Sequence, residues 1–351
     1  MLTIDGAYGE GGGQILRTAL ALSVLLQQPV TIENIRAGRK NPGLAAQHLT
    51  AVHAAAALCD ASLSGDHLES TRLTFQPRHA PSPGEYHFDV AQARSGGSAG
   101  AATLVLQTVL LPLAFASGES RVTVKGGTHV PWSPPFHYLD QVYRPALARM
   151  GIHCRLTLRA WGWYPAGGGE IEAVIAGGAP WPLPPLDLPE SRGPLREVVG
   201  LAVASSLPAH IAQRIAARAF NLLRQAGLPA RIEPVRTRSV SPGAGIFLTA
   251  DYGAVQAGFS ALGRRGKPSE QVAAEAVEAL LAFHRRQALV DMHLADQLIL
   301  PLALTDTPAR LPVDTITHHT LTNIWVVEQF LGPRFRVNRE AGQIDYLPEK
   351  G

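Results

Sequence analysis

Residues 15–59 read ILRTALALSVLL, QQP, VTIENI, RAGRKNPG and LAAQHLTAVHAAAALC in succession. Ile15–Leu26 carries apolar residues at three-and-four spacing, which predicts a helix. Val30–Ile35 is β-branched and short, which predicts a strand. Arg36–Gly43 is a polar loop with two glycines, and Leu44–Cys59 returns to helical spacing. The same order recurs in Ala101–Ala116, Arg121–Val124, Gly126–Pro135 and Phe136–Met150. A third copy runs Leu294–Leu304, Val313–Ile316, Thr317–Thr320 and Leu321–Leu331, closed by a strand at Phe335–Asn338. A pattern repeated at this scale predicts one supersecondary unit used three times. Each copy puts a polar or glycine-rich loop between a strand end and a helix start.

A different pattern separates copies two and three. The stretch LPPLDLPE, Leu183–Glu190, reads as a linker. Beyond it lie a strand at Val198–Ala204, a helix at Ala209–Ala226, and strands near Ala230–Val240, Gly245–Ala250 and Ala254–Leu262. A helix at Ser269–Arg286 completes this α+β unit. The expected fold is α/β (α+β): a large domain of three βαβαβ-type units, residues 1–185 and 288–351, with a smaller α+β domain, 186–287, inserted before the third.

The 351 residues suffice for two domains, and 46% hydrophobic against 17% charged is too apolar for disorder. A formal net charge of +3 excludes a histone-like basic coat but leaves room for a local basic groove. Four lysines stand against 27 arginines, whose planar fork suits phosphate; a GC-rich genome would give the same bias. Two cysteines, Cys59 and Cys154, build neither a disulfide framework nor a cysteine-rich zinc site, and fit a reducing cytoplasm. The amino terminus has no basic or apolar leader, and the apolar run Ala101–Ala116, broken by Gln107 and Pro112, is too short to span a bilayer.

Five loops carry candidate chemistry. Gly9-Glu10-Gly11-Gly12-Gly13-Gln14-Ile15-Leu16-Arg17 is a glycine cluster entering a helix, whose free N–H groups suit an anion. Arg17 near the helix start can point the same way. Glu10 makes sense there if a divalent metal sits between carboxylate and phosphate; the alternative is a plain glycine turn. In Arg36-Ala37-Gly38-Arg39-Lys40-Asn41-Pro42-Gly43, followed by Gln47-His48, three cations in five residues read as a phosphate clamp or an exposed basic turn. Arg94-Ser95-Gly96-Gly97-Ser98-Ala99-Gly100 repeats the glycine-rich helix entry, and Gln107 in the helix beyond needs a polar partner. Gly126–Phe136 holds Pro131, Trp132 and Phe136, fit to pack on a base or to stiffen a turn.

The last loop is Thr317-His318-His319-Thr320-Leu321-Thr322-Asn323. A neutral imidazole is a nucleophile toward phosphorus. Taken alone a His pair is more often structural; its place on the same rim as two cationic or glycine-rich loops favours chemistry. Upstream, His293-Leu294-Ala295-Asp296-Gln297 opens the third copy's first helix, and Asp296 can orient an imidazole or bind metal. No P-loop, Rossmann fingerprint, Lys-x-Asp-Gly, His-Glu-x-x-His or Cys-x-x-Cys occurs. Gly96-Gly97-Ser98-Ala99-Gly100 matches a nucleophile elbow, a cheap match in so small-residue-rich a stretch.

Together GAYGEGGGQILRTAL, IRAGRKNPGL with QHL, SAGAATLVLQT, YPAGGGE, HLADQL and HHTLTN resemble the RNA 3′-terminal phosphate cyclase family along essentially the whole chain. The resemblance implies three repeated units, related to those of enolpyruvyl transferases, with a smaller inserted domain. It implies an ATP-dependent conversion of an RNA 3′-phosphate to a 2′,3′-cyclic phosphate. His319 matches the family nucleophile, which takes AMP from ATP. Glu10 matches the acid that binds a divalent metal, magnesium or manganese. Arg17, Arg36, Arg39 and Gln47-His48 match positions around the phosphates and the RNA end. Gln107, Pro131, His293, Leu294, Ala295, Asp296 and Gln297 match the adenosine pocket, with His293 where some members have Tyr. RNA 3′-phosphate ends are the implied partner; single-stranded DNA ends and the oligomeric state are left open. Two other classes compete. A non-catalytic ribosome-assembly relative would lack the histidine that His319 supplies. An enolpyruvyl transferase would need six repeat units.

Overall fold

The computed structural model describes residues 1–93 and 98–349. Its first unit is β1 (Leu2–Asp5), α1 (Gly13–Leu26), β2 (Val30–Glu33), α2 (Ala46–Cys59), β3 (Ser62–Ser64) and β4 (Leu73–Gln76). The sheet order is β1-β2-β4-β3, with β1 parallel to β2 and the other pairs antiparallel. The second unit is β5 (Glu85–Asp89), α3 (Ala102–Ala114), β6 (Ser120–Gly126), α4 (Phe136–Tyr138), a π-helical turn (Leu139–Tyr143), α5 (Arg144–Arg149), β7 (Cys154–Ala160) and β8 (Gly169–Ile175). Its order β5-β6-β8-β7 repeats the first sheet in both sequence and sense.

The intervening stretch holds β9 (Glu197–Ser205), α6 (Ala209–Gln225), β10 (Ala230–Thr237), β11 (Gly243–Asp251), β12 (Gln256–Leu262) and α7 (Ser269–Arg286). Here the order is β10-β9-β11-β12, a different topology. One face of this sheet, with Val198, Ala202, Ile246 and Leu248, joins the core that includes Ile215 of α6 and Phe283 of α7. The other face, with Leu201, Val203 and Phe247, packs on Trp161 and Trp163.

The chain closes with α8 (Met292–Ala303), β13 (Ala309–Pro312), α9 (His318–Leu331), β14 (Phe335–Asn338) and β15 (Gln343–Tyr346). The order is β13-β15-β14, and a parallel bridge between Val290 and Val313 stands where the other units have their first strand. No described helix is long and apolar enough to cross a membrane.

The mixed α/β class agrees with the sequence pattern, with four local corrections. Each unit carries an extra antiparallel strand, because two strands follow the second helix. The helix predicted over Phe136–Met150 is interrupted by the π-helical turn. The third unit's inner strand lies at Ala309–Pro312, ahead of the predicted Val313–Ile316. Finally, α9 begins at His318, because the Thr317 hydroxyl accepts the Thr320 N–H at 3.1 Å and caps the helix. His319 therefore sits in the first turn of a helix, not in a loop at a strand end.

Candidate active site

The glycine loop leading into α1 is shaped by its neighbours. Gly9 and Gly11 have φ of +57° and +55°, the left-handed region that glycine adopts without steric cost. A Cβ on Gly9 would overlap Thr322 Oγ1, and one on Gly13 would overlap His48 Nε2. The Glu10 N–H donates to Thr322 Oγ1 at 3.3 Å. The loop is thus wedged between the first turns of α2 and α9, two helices far apart in sequence. No acidic residue occupies the first turn of α1, so its positive end stays open to an anion.

Cations surround that end. Arg39 Nη2 donates to the Glu10 carbonyl at 2.8 Å and lies 3.9 Å from its carboxylate. Arg36, at φ +55°, turns inward to donate to the Gly43 carbonyl at 2.7 Å. Burial pushes the Arg17 guanidinium down to about 10, against the pull of Asp296; it stays charged at neutral pH. Among the described residues Arg17 has no ion-pair partner. His48 is buried, and desolvation followed by Arg17 and Arg36 pushes it down to about 3. Its Nδ1 accepts the Ala45 N–H at 3.1 Å, so the neutral ring carries its proton on Nε2.

The histidine of α9 is held differently. His319 Nδ1 lies 2.9 Å from Asp296 Oδ2. An ionised carboxylate only accepts, so the imidazole donates from Nδ1, leaving the Nε2 lone pair free. Asp296 is fixed from two sides: the Gln14 amide donates to Oδ1, and Asn323 Nδ2 donates to the Asp296 carbonyl at 2.8 Å. Thr18 in turn donates to Asn323 Oδ1 at 2.7 Å. Residues of α1, α8 and α9 thereby lock the imidazole into one tautomer.

Of the predicted site residues, Glu10, Arg17, Arg36, Arg39, His48, Asp296 and His319 fall in this connected set. Gln107 Nε2 donates to Gln297 Oε1 at 2.8 Å, linking α3 to α8. His293 is exposed and meets Tyr138 edge-on at 6.0 Å. Leu294 and Ala295 bury their side chains in the core, so within that run only His293, Asp296 and Gln297 present side chains outward. Pro131 is exposed on the loop after β6. Gln47 spends its carbonyl oxygen on the Ala101 N–H, 2.8 Å away. The stretch 94–97, and with it the first two residues of the Gly-x-Ser-x-Gly match, lies outside the described residues. The sequence pattern assigns no role to Gln14, Thr18 or Asn323. Their only signal is a polar residue inside a helix that is otherwise apolar on its buried side.

No three His, Cys, Asp or Glu side chains converge among the described residues. A divalent ion at Glu10 would complete its shell with phosphate oxygens and water, as magnesium commonly does.

These features define a class: an α/β protein with an anion-receptive helix end ringed by arginines and, beside it, a histidine paired to a carboxylate. The family model for RNA 3′-terminal phosphate cyclase matches residues 8–337. The RNA 3′-terminal phosphate cyclase of Gloeothece citriformis is 54% identical over 330 residues, 94% of this chain and 93% of its own. That of Pyrococcus furiosus is 41% identical over 343 residues, 98% of this chain and 97% of its own. An enolpyruvyl transferase structure from Streptomyces tendae covers 63% of this chain and 37% of its own at 16% identity and a TM-score of 0.27, too distant to carry an argument. The chain belongs to the RNA 3′-terminal phosphate cyclase family.

Proposed function

We propose that this protein is an ATP-dependent RNA 3′-terminal phosphate cyclase working through a covalent histidine–AMP intermediate. The observation that carries this reading is the His319–Asp296 pair, 2.9 Å apart and tied through Gln14 to the glycine loop. The Nε2 lone pair of His319 attacks the α-phosphorus of ATP; the P–N bond forms, the α–β bridging P–O bond breaks, and pyrophosphate leaves. Positive charge developing on the imidazole is offset by Asp296 through the Nδ1 proton. An oxygen of the RNA 3′-phosphate then displaces the imidazole and takes the AMP. The vicinal 2′-hydroxyl attacks the activated phosphorus, loses its proton, closes the five-membered ring and expels AMP. A phosphate monoester dianion is a poor electrophile, and adenylation provides the leaving group; the neighbouring hydroxyl needs little further positioning.

Arg17, Arg36, Arg39 and the open end of α1 would hold the phosphates, with His48 kept neutral among them. Gln107, Gln297, His293 and Pro131 would face adenosine. Glu10 would hold a magnesium or manganese ion, which neutralises phosphate charge when bound. Incubation with α-labelled ATP and metal, without RNA, should label the wild-type protein with AMP. His319→Ala should lower that labelling by about a thousandfold or more; persistent labelling removes His319 as nucleophile. The non-catalytic alternative predicts no labelling of the wild type, and retention of His319 with its carboxylate speaks against it.

A further inference from the structure

We propose that Trp132 and Tyr164 form a stacking rim for the bases upstream of the RNA 3′ end, with Arg238 beside it for the backbone. Trp132 is 99% exposed and sits at φ +65°, a backbone region that a bulky side chain rarely adopts. No described residue covers the indole. Tyr164 is 70% exposed on the neighbouring loop.

The two loops share one rigid base. The Thr128 and His129 N–H groups both donate to the Gly162 carbonyl, at 2.9 and 3.0 Å, and His129 bridges Trp163. Beneath them His129 stacks on Trp161 and Trp163 at 4.4 and 5.1 Å and hydrogen-bonds His137 at 3.0 Å. The turn after β10 joins the same base: Trp161 bridges Ser239, and the Ala166 N–H donates to Ser241 at 3.0 Å. That turn carries exposed Arg238, which has no ion-pair partner among the described residues.

The rim is anchored beside the proposed phosphate pocket. Gly127 N–H donates to the Gly100 carbonyl and Ala102 N–H to the Gly127 carbonyl, each at 2.8 Å, fixing the loop base at the entry of α3. Ala101 in turn donates to Gln47, the neighbour of His48. Two exposed rings on a rigid base, with a free guanidinium alongside, match the chemistry of single-strand binding, where aromatic faces take successive bases and cations track the backbone.

The inference rests on the proposed RNA chemistry, so its test reads association alone. Binding of a 3′-phosphorylated single-stranded RNA oligonucleotide should weaken by about tenfold in Trp132→Ala and largely recover in Trp132→Phe. Tyr164→Ala should show a smaller loss in the same direction. An oligonucleotide with abasic sugars upstream of its terminal nucleotide should bind wild type and Trp132→Ala alike. Unchanged affinity of Trp132→Ala for the intact RNA overturns the proposal. So does an equal loss on the abasic RNA, a loss of ATP affinity in place of RNA affinity, or a change in sedimenting mass that makes Trp132 a contact between copies. AMP labelling of the wild type judges the cyclase reading separately.

Discussion

The first and third units place a histidine in the first turn of the same helix and give it opposite surroundings. His48 is the third residue of α2, and His319 is the second of α9. Each faces the fifth residue of its unit's first helix: Arg17 in α1 and Asp296 in α8. The cation pushes His48 down, after desolvation, and its Nδ1 is spent accepting a backbone N–H. The anion accepts a hydrogen bond from the Nδ1–H of His319 and leaves the Nε2 lone pair bare. In the second unit the fifth residue of α3 is Leu106, fully buried, and His137 hydrogen-bonds His129 and packs against Trp161 and Phe247. One scaffold thus yields a neutral histidine beside a cation, a buried stacking pair and a histidine paired to an anion, and what differs is the residue that faces each ring.

Removing that charge is the strongest way to break the contrast. Asp296→Asn should cut AMP labelling by about a hundredfold or more while the fold persists, because the amide no longer compels the Nδ1-protonated tautomer. Labelling at the wild-type rate would show that the tautomer needs no carboxylate. A smaller effect should follow from crowding the other histidine. Gly13→Ala drives a methyl group into His48, and urea unfolding should report a loss of about 1–3 kcal/mol. An unchanged midpoint would mean that α2 yields freely.

A third test is acid. His48 and His137 fall to about 3 and about 4, and His129 lies well below its usual value, all chiefly by burial. Depressed histidines bind protons more readily when unfolded, so stability should be full above about 6.5 and decline toward pH 4. Each contributes a slope of up to about 1.4 kcal/mol per pH unit. Asp314, raised to about 6 chiefly by burial and then by Asp291, acts in the opposite sense and offsets part of that slope. Denaturation at pH 7 and pH 5 should show the decline, and His137→Phe should flatten it; an equal slope in the variant would exclude His137 as a contributor.

Much of this was legible because helices and strands announce themselves locally. The periodicity of Ile15–Leu26, the β-branched run at Val30 and the whole of Ser269–Arg286 depend on neighbours within a few residues. The short strands β3, β4 and β15 are not legible, since three or four residues carry too little pattern without the partner strand that stabilises them. From sequence alone His319 reads as a loop residue, because the cap that starts α9 is a hydroxyl and Thr317 suits a turn equally well.

From its own residues the chain determined which types of side chain exist and the local elements that carry them: a glycine loop, an arginine cluster, a late histidine. Tertiary structure alone decided that Gln14, Asp296 and His319, just over three hundred positions apart at the extremes, share one carboxylate. Hydrogen bonds are short-ranged and directional, so a tautomer is settled only when packing brings its partner within about 3 Å.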